Sequence, residues 1–189
     1  MASHDPQVQK YTQETPSDPV SPLQRLVHWF TANGGHLSPD VDIVFTSSLG
    51  YHCRAIRRLS SAVVAQCPLS LTLSYLNLDH TQSIVPHVQS PLAKCLGQLS
   101  NNVLTYLLLV EQRLGSEKAC SKWSPYLACL PEPGTMTTPL WFDHADMQSL
   151  AGTNLARETG VKLHQLTEEW TEAKQVLDTV GIDAKVYTL

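Results

Sequence analysis

Apolar positions first become periodic at Leu23. Leu23, Leu26, Val27 and Phe30 fall on one helical face. Ser21 is placed to cap this helix, Pro22 suits its first position, and Gln24 stands where the partner of a capping box would. Gly34-Gly35 ends it, because glycine tolerates the positive φ of a helix C-terminus. The pattern then changes. In "VDIVFT", Val41–Thr46, Val41, Ile43 and Phe45 alternate with polar or smaller residues, which predicts a strand. "SLGYHCRAIRRL" predicts a turn at Gly50 and a short strand through Cys53–Ile56. "SAVVAQCP" is another short β-branched run, stopped by Pro68. Next comes "CPLSLTLSYLN", Cys67–Asn77, which alternates apolar and hydroxyl residues and then turns helix-like.

Beyond this stretch the period is helical. "SNNVLTYLLLVEQRLG" starts at a Ser100 cap and stops at Gly115, with Leu104, Leu107, Leu108, Glu111 and Leu114 on one broad face. "WSPYLACLPEPG" is a compact piece bounded by proline. "FDHADMQSLAG" predicts a short helix capped by Asp143, with Asp146 three residues later. From about Thr153 a long helix carries Leu163, Leu166, Trp170, Ala173 and Leu177 at three-four spacing, and Gly160 weakens its first turns by up to about 1 kcal/mol.

The chain has 189 residues, enough for one domain with a sizeable core. Apolar residues make up 42% and charged residues 16%, a globular balance slightly poor in charge. The net charge is −4, with 13 Lys+Arg against 17 Asp+Glu, so no basic field is available for a nucleic-acid backbone. The longest apolar run, "YLLLV" at Tyr106–Val110, is too short to span a membrane. Residues 1–20 are polar, contain Pro6, Pro16 and Pro19, lack an apolar signal-peptide core, and read as a disordered arm. Without an export signal, Cys53, Cys67, Cys95, Cys120 and Cys129 read as reduced thiols of a cytoplasmic or nuclear protein. None forms a C-x-x-C pair, which argues against a zinc ribbon.

Taken in order, these segments resemble a known family. A Gly-Gly after a helix, a strand, a Gly turn ending "RAIRRL", and "CPLSLTLSYLN" are followed by a Leu-rich helix ending "LLLVEQRLG". Then come "KWSPYLACLP", "TPLWF" and "LAGTNL". The order is similar to the N-terminal part of SET-domain proteins of the Rubisco large-subunit methyltransferase type, over about Ser21 to Trp170. "CPLSLTLSYLN" looks most like fungal members. The resemblance implies an α+β fold, with a small β-rich N-terminal part of a SET domain over residues 21–97. A mostly helical SET insert, incomplete, follows over residues 98–189. It implies S-adenosylmethionine as cofactor and protein-lysine methylation as the function class.

In that family the cofactor contacts a Gly-x-Gly turn, where a Cβ would obstruct the approach to backbone amides. Lined up on "RAIRRL", the turn falls on Gly50-Tyr51-His52, with the first glycine kept and His52 in place of the second. Leu49, Gly50 and Tyr51 are therefore candidate cofactor contacts through their backbone; the alternative is that Gly50 simply makes a β-turn. The family's Asn-His motif, and the late tyrosine that orients the attacking lysine amine, are not located here; no Asn is followed by His. No catalytic residue is assigned. The chain is expected to stop inside the insert, to lack methyltransferase activity alone, and to self-associate through exposed apolar surface. A second reading is a non-catalytic protein-binding module built on the helical insert, which needs a protein partner and no cofactor.

Other constellations read as structural. Asp143, His144 and Asp146 suit a helix N-terminus better than a metal. His28, His36, His52, His80, His87 and His164 show no H-x-x-x-H spacing, and no G-x-S-x-G elbow is present. Cys53 and Cys67 are expected to be buried packing, and Trp123, Tyr126 and Trp141 to belong to the core, with a protein-substrate groove as their alternative. "KLHQLTEEWTEAKQVL" is read as an intramolecular core face, with partner binding as the alternative.

Overall fold

The computed structural model describes residues 20–81, 85–116 and 121–187, so all but the last residue of the expected arm lies outside the described residues. Helices and short strands together make a mixed α+β chain. The helices are α1 (Pro22–Ala32), α2 (Asn101–Ser116), α3 (Ser124–Leu127), α4 (His144–Ser149) and α5 (Asn154–Thr179). The strands are β1 (His36–Leu37), β2 (Val41–Thr46), β3 (Gly50–Ala55) and β4 (Ala65–Gln66). The chain divides into two compact units. One comprises Met1–Thr72 with Ser116–Leu130, and the other Leu73–Gly115 with Pro131–Leu189. The expected boundary between the β-rich part and the helical insert, at residues 97–98, falls inside the second unit.

In the first unit, α1 starts as its sequence dictates. Gln24 N–H donates to Ser21 Oγ at 3.2 Å, and Ser21 N–H donates to Gln24 Oε1 at 2.7 Å. Leu23 is buried, and α1 packs on α3. Gly34 takes φ +85° and ends the helix. Gly35 is required for a different reason. A Cβ there would lie 2.6 Å from the Phe30 ring, so the ring occupies the space of the missing side chain.

The strands form two antiparallel ribbons, β1 with β4 and β2 with β3. In the second ribbon Val41 faces Ala55 and Thr46 faces Gly50. Ser47–Leu49 closes it, with Gly50 at φ +64°, the left-handed residue that ends a three-residue hairpin loop. The third strand therefore begins at Gly50, three residues before the expected Cys53. The alternation of Val41, Ile43 and Phe45 does not decide burial either. Val41 and Val44 are buried, whereas Phe45 is exposed. A two-stranded ribbon twists strongly, so the face turned to the core changes along its length. Of "SAVVAQCP" only Ala65–Gln66 pairs, and Val63 is exposed.

The stretch "CPLSLTLSYLN" is neither helix nor strand. It is two 3-10 turns, Leu69–Leu71 and Tyr75–Asn77, on either side of the boundary between the units. Within the first unit, its carbonyls accept from side chains. Trp123 Nε1 donates to Leu71 O at 2.9 Å, and Lys122 Nζ donates to Ser70 O. Within the second unit, Tyr75 N–H donates to Thr105 Oγ1 at 3.1 Å. Buried Asn77 accepts from Ser74 N–H and donates to Pro86 O, both at 2.8 Å. These side chains satisfy backbone groups that no ladder reaches.

The second unit has its own core. Leu78, Leu92, Cys95, Leu104, Leu108, Ala173 and Leu177 cluster there, so α2 and α5 share it. Ser100 Oγ caps α2 through Val103 N–H, and Thr153 Oγ1 caps α5 through Ala156 N–H, each at 3.2 Å. The face of α5 is buried unevenly. Ala173 and Leu177 are inaccessible, Leu166 and Trp170 are half-buried, and Leu163 is exposed.

Candidate functional site

Leu49, Gly50 and Tyr51 sit at the end of the β2–β3 hairpin. Leu49 is 71% exposed. Nothing lies within 4 Å of where a Gly50 Cβ would be, so the backbone can be approached, but no wall encloses it. Tyr51 packs edge-on against Phe45, with ring centroids 5.1 Å apart. Its hydroxyl lies near the Cys129 thiol. Burial pushes both groups upward, and for Tyr51 the neighbouring thiol adds to the rise. The His52 ring turns back on the turn, with Nδ1 3.1 Å from Gly50 O, which requires the proton on Nδ1. His52 thus takes up a carbonyl of the turn where the family pattern has a glycine. The positive φ of Gly50 serves closure of the hairpin. These residues offer an open turn whose backbone can be approached from outside.

Just before β2, Asp40 is buried and ties the hairpin to the following loop. Arg57 Nε and the Ser60 hydroxyl donate to it, and Ser60 N–H donates at 2.7 Å. The Ser60 hydroxyl and amide, followed by Arg57, hold its carboxyl down at about 2.

Several residues do not lie where the sequence pattern put them. Cys53 and Cys67 are exposed, and among the described cysteines the buried one is Cys95. Cys53 lies in β3, where residues alternate between half-buried and exposed, and Cys67 precedes the Pro68 break. Trp123 is core at 1% exposure, but Tyr126 and Trp141 are exposed, because α3 and the Pro139–Trp141 turn are too short to bury more than one face. Asp143 Oδ1 accepts from Asp146 N–H at 2.8 Å as the cap of α4. His80 and His87 place their rings 5.0 Å apart, and His164 meets Glu168 at 3.3 Å. Among the described residues no three metal-ligating side chains converge.

A second candidate lies in the helical unit. Between α2 and α5 runs a groove of about 250 Å³. Val103, Leu107 and Val110 line it from α2, and Leu166, Glu169 and Trp170 from α5. Tyr106 stands in its wall at 49% exposure. Tyr187 closes one part of it and donates to Glu111 Oε2, which also accepts from Ser90 Oγ at 2.7 Å. The sequence pattern gave the α5 side, through Leu166 and Trp170. It did not give Tyr106, Val103 or Tyr187, because only the packing of the two helices brings them into one wall. Among the described residues no helix is long and apolar enough to cross a membrane. No protein-family model matches the chain, and neither a curated protein nor a solved structure matches it.

Proposed function

We propose that this chain is a relative of the SET-type protein-lysine methyltransferases, acting in the cytoplasm or nucleus, and that it transfers no methyl group by itself. The observation that carries the reading is the Gly50 turn at the end of β2–β3, four residues before the start of "RAIRRL" and open to approach. When bound, S-adenosylmethionine would supply the methyl group, with the backbone of Leu49, Gly50 and Tyr51 as its contacts here. In the family, methyl transfer needs a lysine amine held in line with the donor methyl. No residue of this chain is assigned to hold it, so no transfer step is written. Equilibrium dialysis with labelled S-adenosylmethionine tests the cofactor contact. Binding that Gly50→Val abolishes supports it, and no binding removes it. Label transfer to a lysine peptide array that depends on Gly50 or Tyr51 would overturn the claim of inactivity.

The α2–α5 groove favours a second reading, a protein-binding module on the helical unit. An open apolar groove between helices is a common seat for a peptide. This reading requires no cofactor, so it stands or falls separately.

A further inference from the structure

We propose that Ser60 is a phosphorylation site for an arginine-directed serine kinase, and that the phosphate releases the loop over residues 57–63 from Asp40. Neither functional reading uses Ser60, and the proposal stands apart from both. Arg57-Arg58-Leu59-Ser60 follows β3 and sets two guanidinium groups two and three residues before a serine hydroxyl. A kinase cleft lined by carboxylates selects that spacing, because each guanidinium finds an acid while the hydroxyl reaches the nucleotide. Residues 57–63 are all exposed and form neither helix nor strand. Such a segment can be drawn out into a cleft without breaking a ladder.

The loop is held at three places. At its ends Ile56 N–H donates to Asp40 O at 3.0 Å, and Ser38 N–H donates to Val64 O at 2.8 Å. In the middle the Asp40 carboxylate accepts from Ser60 N–H at 2.7 Å, from the Ser60 hydroxyl and from Arg57 Nε. Asp40 is buried, whereas the Arg57 side chain is 61% exposed, so the acceptor lies inside and its donors at the surface. A hydroxyl fits this arrangement and a phosphate does not. In the transfer, Ser60 Oγ bonds to the γ-phosphorus of ATP. The bond from that phosphorus to the β–γ bridging oxygen breaks, ADP leaves, and the hydroxyl proton passes to the base of the kinase. The product carries a charge of about −1.5 to −2 and has lost the O–H that Asp40 accepted from. It faces a buried carboxylate, so the two repel and the loop swings outward. Arg57 and Arg58 can then pair with the phosphate, which takes a second donor from Asp40.

The test incubates the full chain with Mg·ATP and purified cyclic-AMP-dependent kinase, an arginine-directed enzyme whose activity is verified on a reference peptide. Mass spectrometry maps the phosphate. It is expected on Ser60 and absent from that position in Ser60→Ala. Arg58→Ala leaves the three Asp40 bonds in place and should be modified about tenfold more slowly. Hydrogen exchange of the wild-type chain before and after modification reads the loop. Exchange at the Ser60 amide should rise about tenfold on phosphorylation, while α1 keeps its protection. No phosphate on Ser60, or phosphate on Ser61 in its place, overturns the site. Equal rates for wild type and Arg58→Ala overturn the arginine-directed recognition. Phosphate on Ser60 with unchanged exchange over residues 57–63 overturns the release from Asp40.

Discussion

The Tyr187 hydroxyl donates to Glu111 Oε2 at 3.1 Å, joining residues 76 positions apart. The bond fastens the 3-10 turn Ala184–Tyr187 to α2, beside the groove. Burial raises the Tyr187 phenol above its ordinary value of 10.0, and the Glu111 carboxylate adds to the rise. Tyr187→Phe should cost about 1–2 kcal/mol at neutral pH, because Glu111 keeps Ser90 as a donor. The raised value favours the neutral phenol in the folded state. Its contribution is therefore complete below about pH 10 and is lost as pH rises towards the folded value. The stability gap between wild type and Tyr187→Phe, from urea unfolding, should be flat to about pH 10 and shrink above it. A gap that widens in alkali would contradict the arrangement.

Asp40 gives the opposite sign. Its carboxyl is held at about 2, against an ordinary 3.8, by Ser60 and Arg57. The stability it contributes is present above about pH 4 and is lost as pH falls towards 2. Asp40→Asn should remove that part of the acid dependence and speed hydrogen exchange at the Ser60 amide. Unchanged exchange at Ser60 would show that the carboxylate does not hold the loop.

Trp123 holds the first of the two 3-10 turns through the Leu71 carbonyl. Trp123→Phe removes the donor and leaves space in a well-packed site. A loss of about 2–3 kcal/mol is expected, with Leu69–Leu71 exchanging faster. Trp141→Phe, at an exposed position, should change stability by less than about 0.5 kcal/mol. Equal losses for the two variants would refute the packing described.

Gly35 and Phe30 form a coupled pair. Gly35→Ala places a methyl 2.6 Å from the Phe30 ring and should cost about 1–3 kcal/mol. In a Phe30→Leu background most of that penalty should vanish. A double-mutant cycle with no coupling would show that the ring does not occupy the glycine's space.

Local chemistry determined the helices. Ser21, Ser100, Asp143 and Thr153 start the four longer helices and cap each one in the structure, since a cap needs only its own first turn. Gly34 likewise ends α1 with the φ its position demands. Turn chemistry also placed Gly50, but not the strand length after it, because pairing with β2 extends β3 back to the turn. Burial was decided by tertiary packing. Phe45 and Cys53 fit a strand pattern, yet both are exposed in the β2–β3 ribbon. Leu163 shares the periodic face of α5 with Leu177, but only the C-terminal half of that face reaches the core. The stretch "CPLSLTLSYLN" had no period that decides its form. Its conformation follows from Trp123, Lys122 and Thr105, which meet its backbone from distant positions. The groove arises in the same way. Trp170 was legible as one side of an amphipathic helix, but Tyr106 and Tyr187 join it only when α2 and the last described turn pack beside α5.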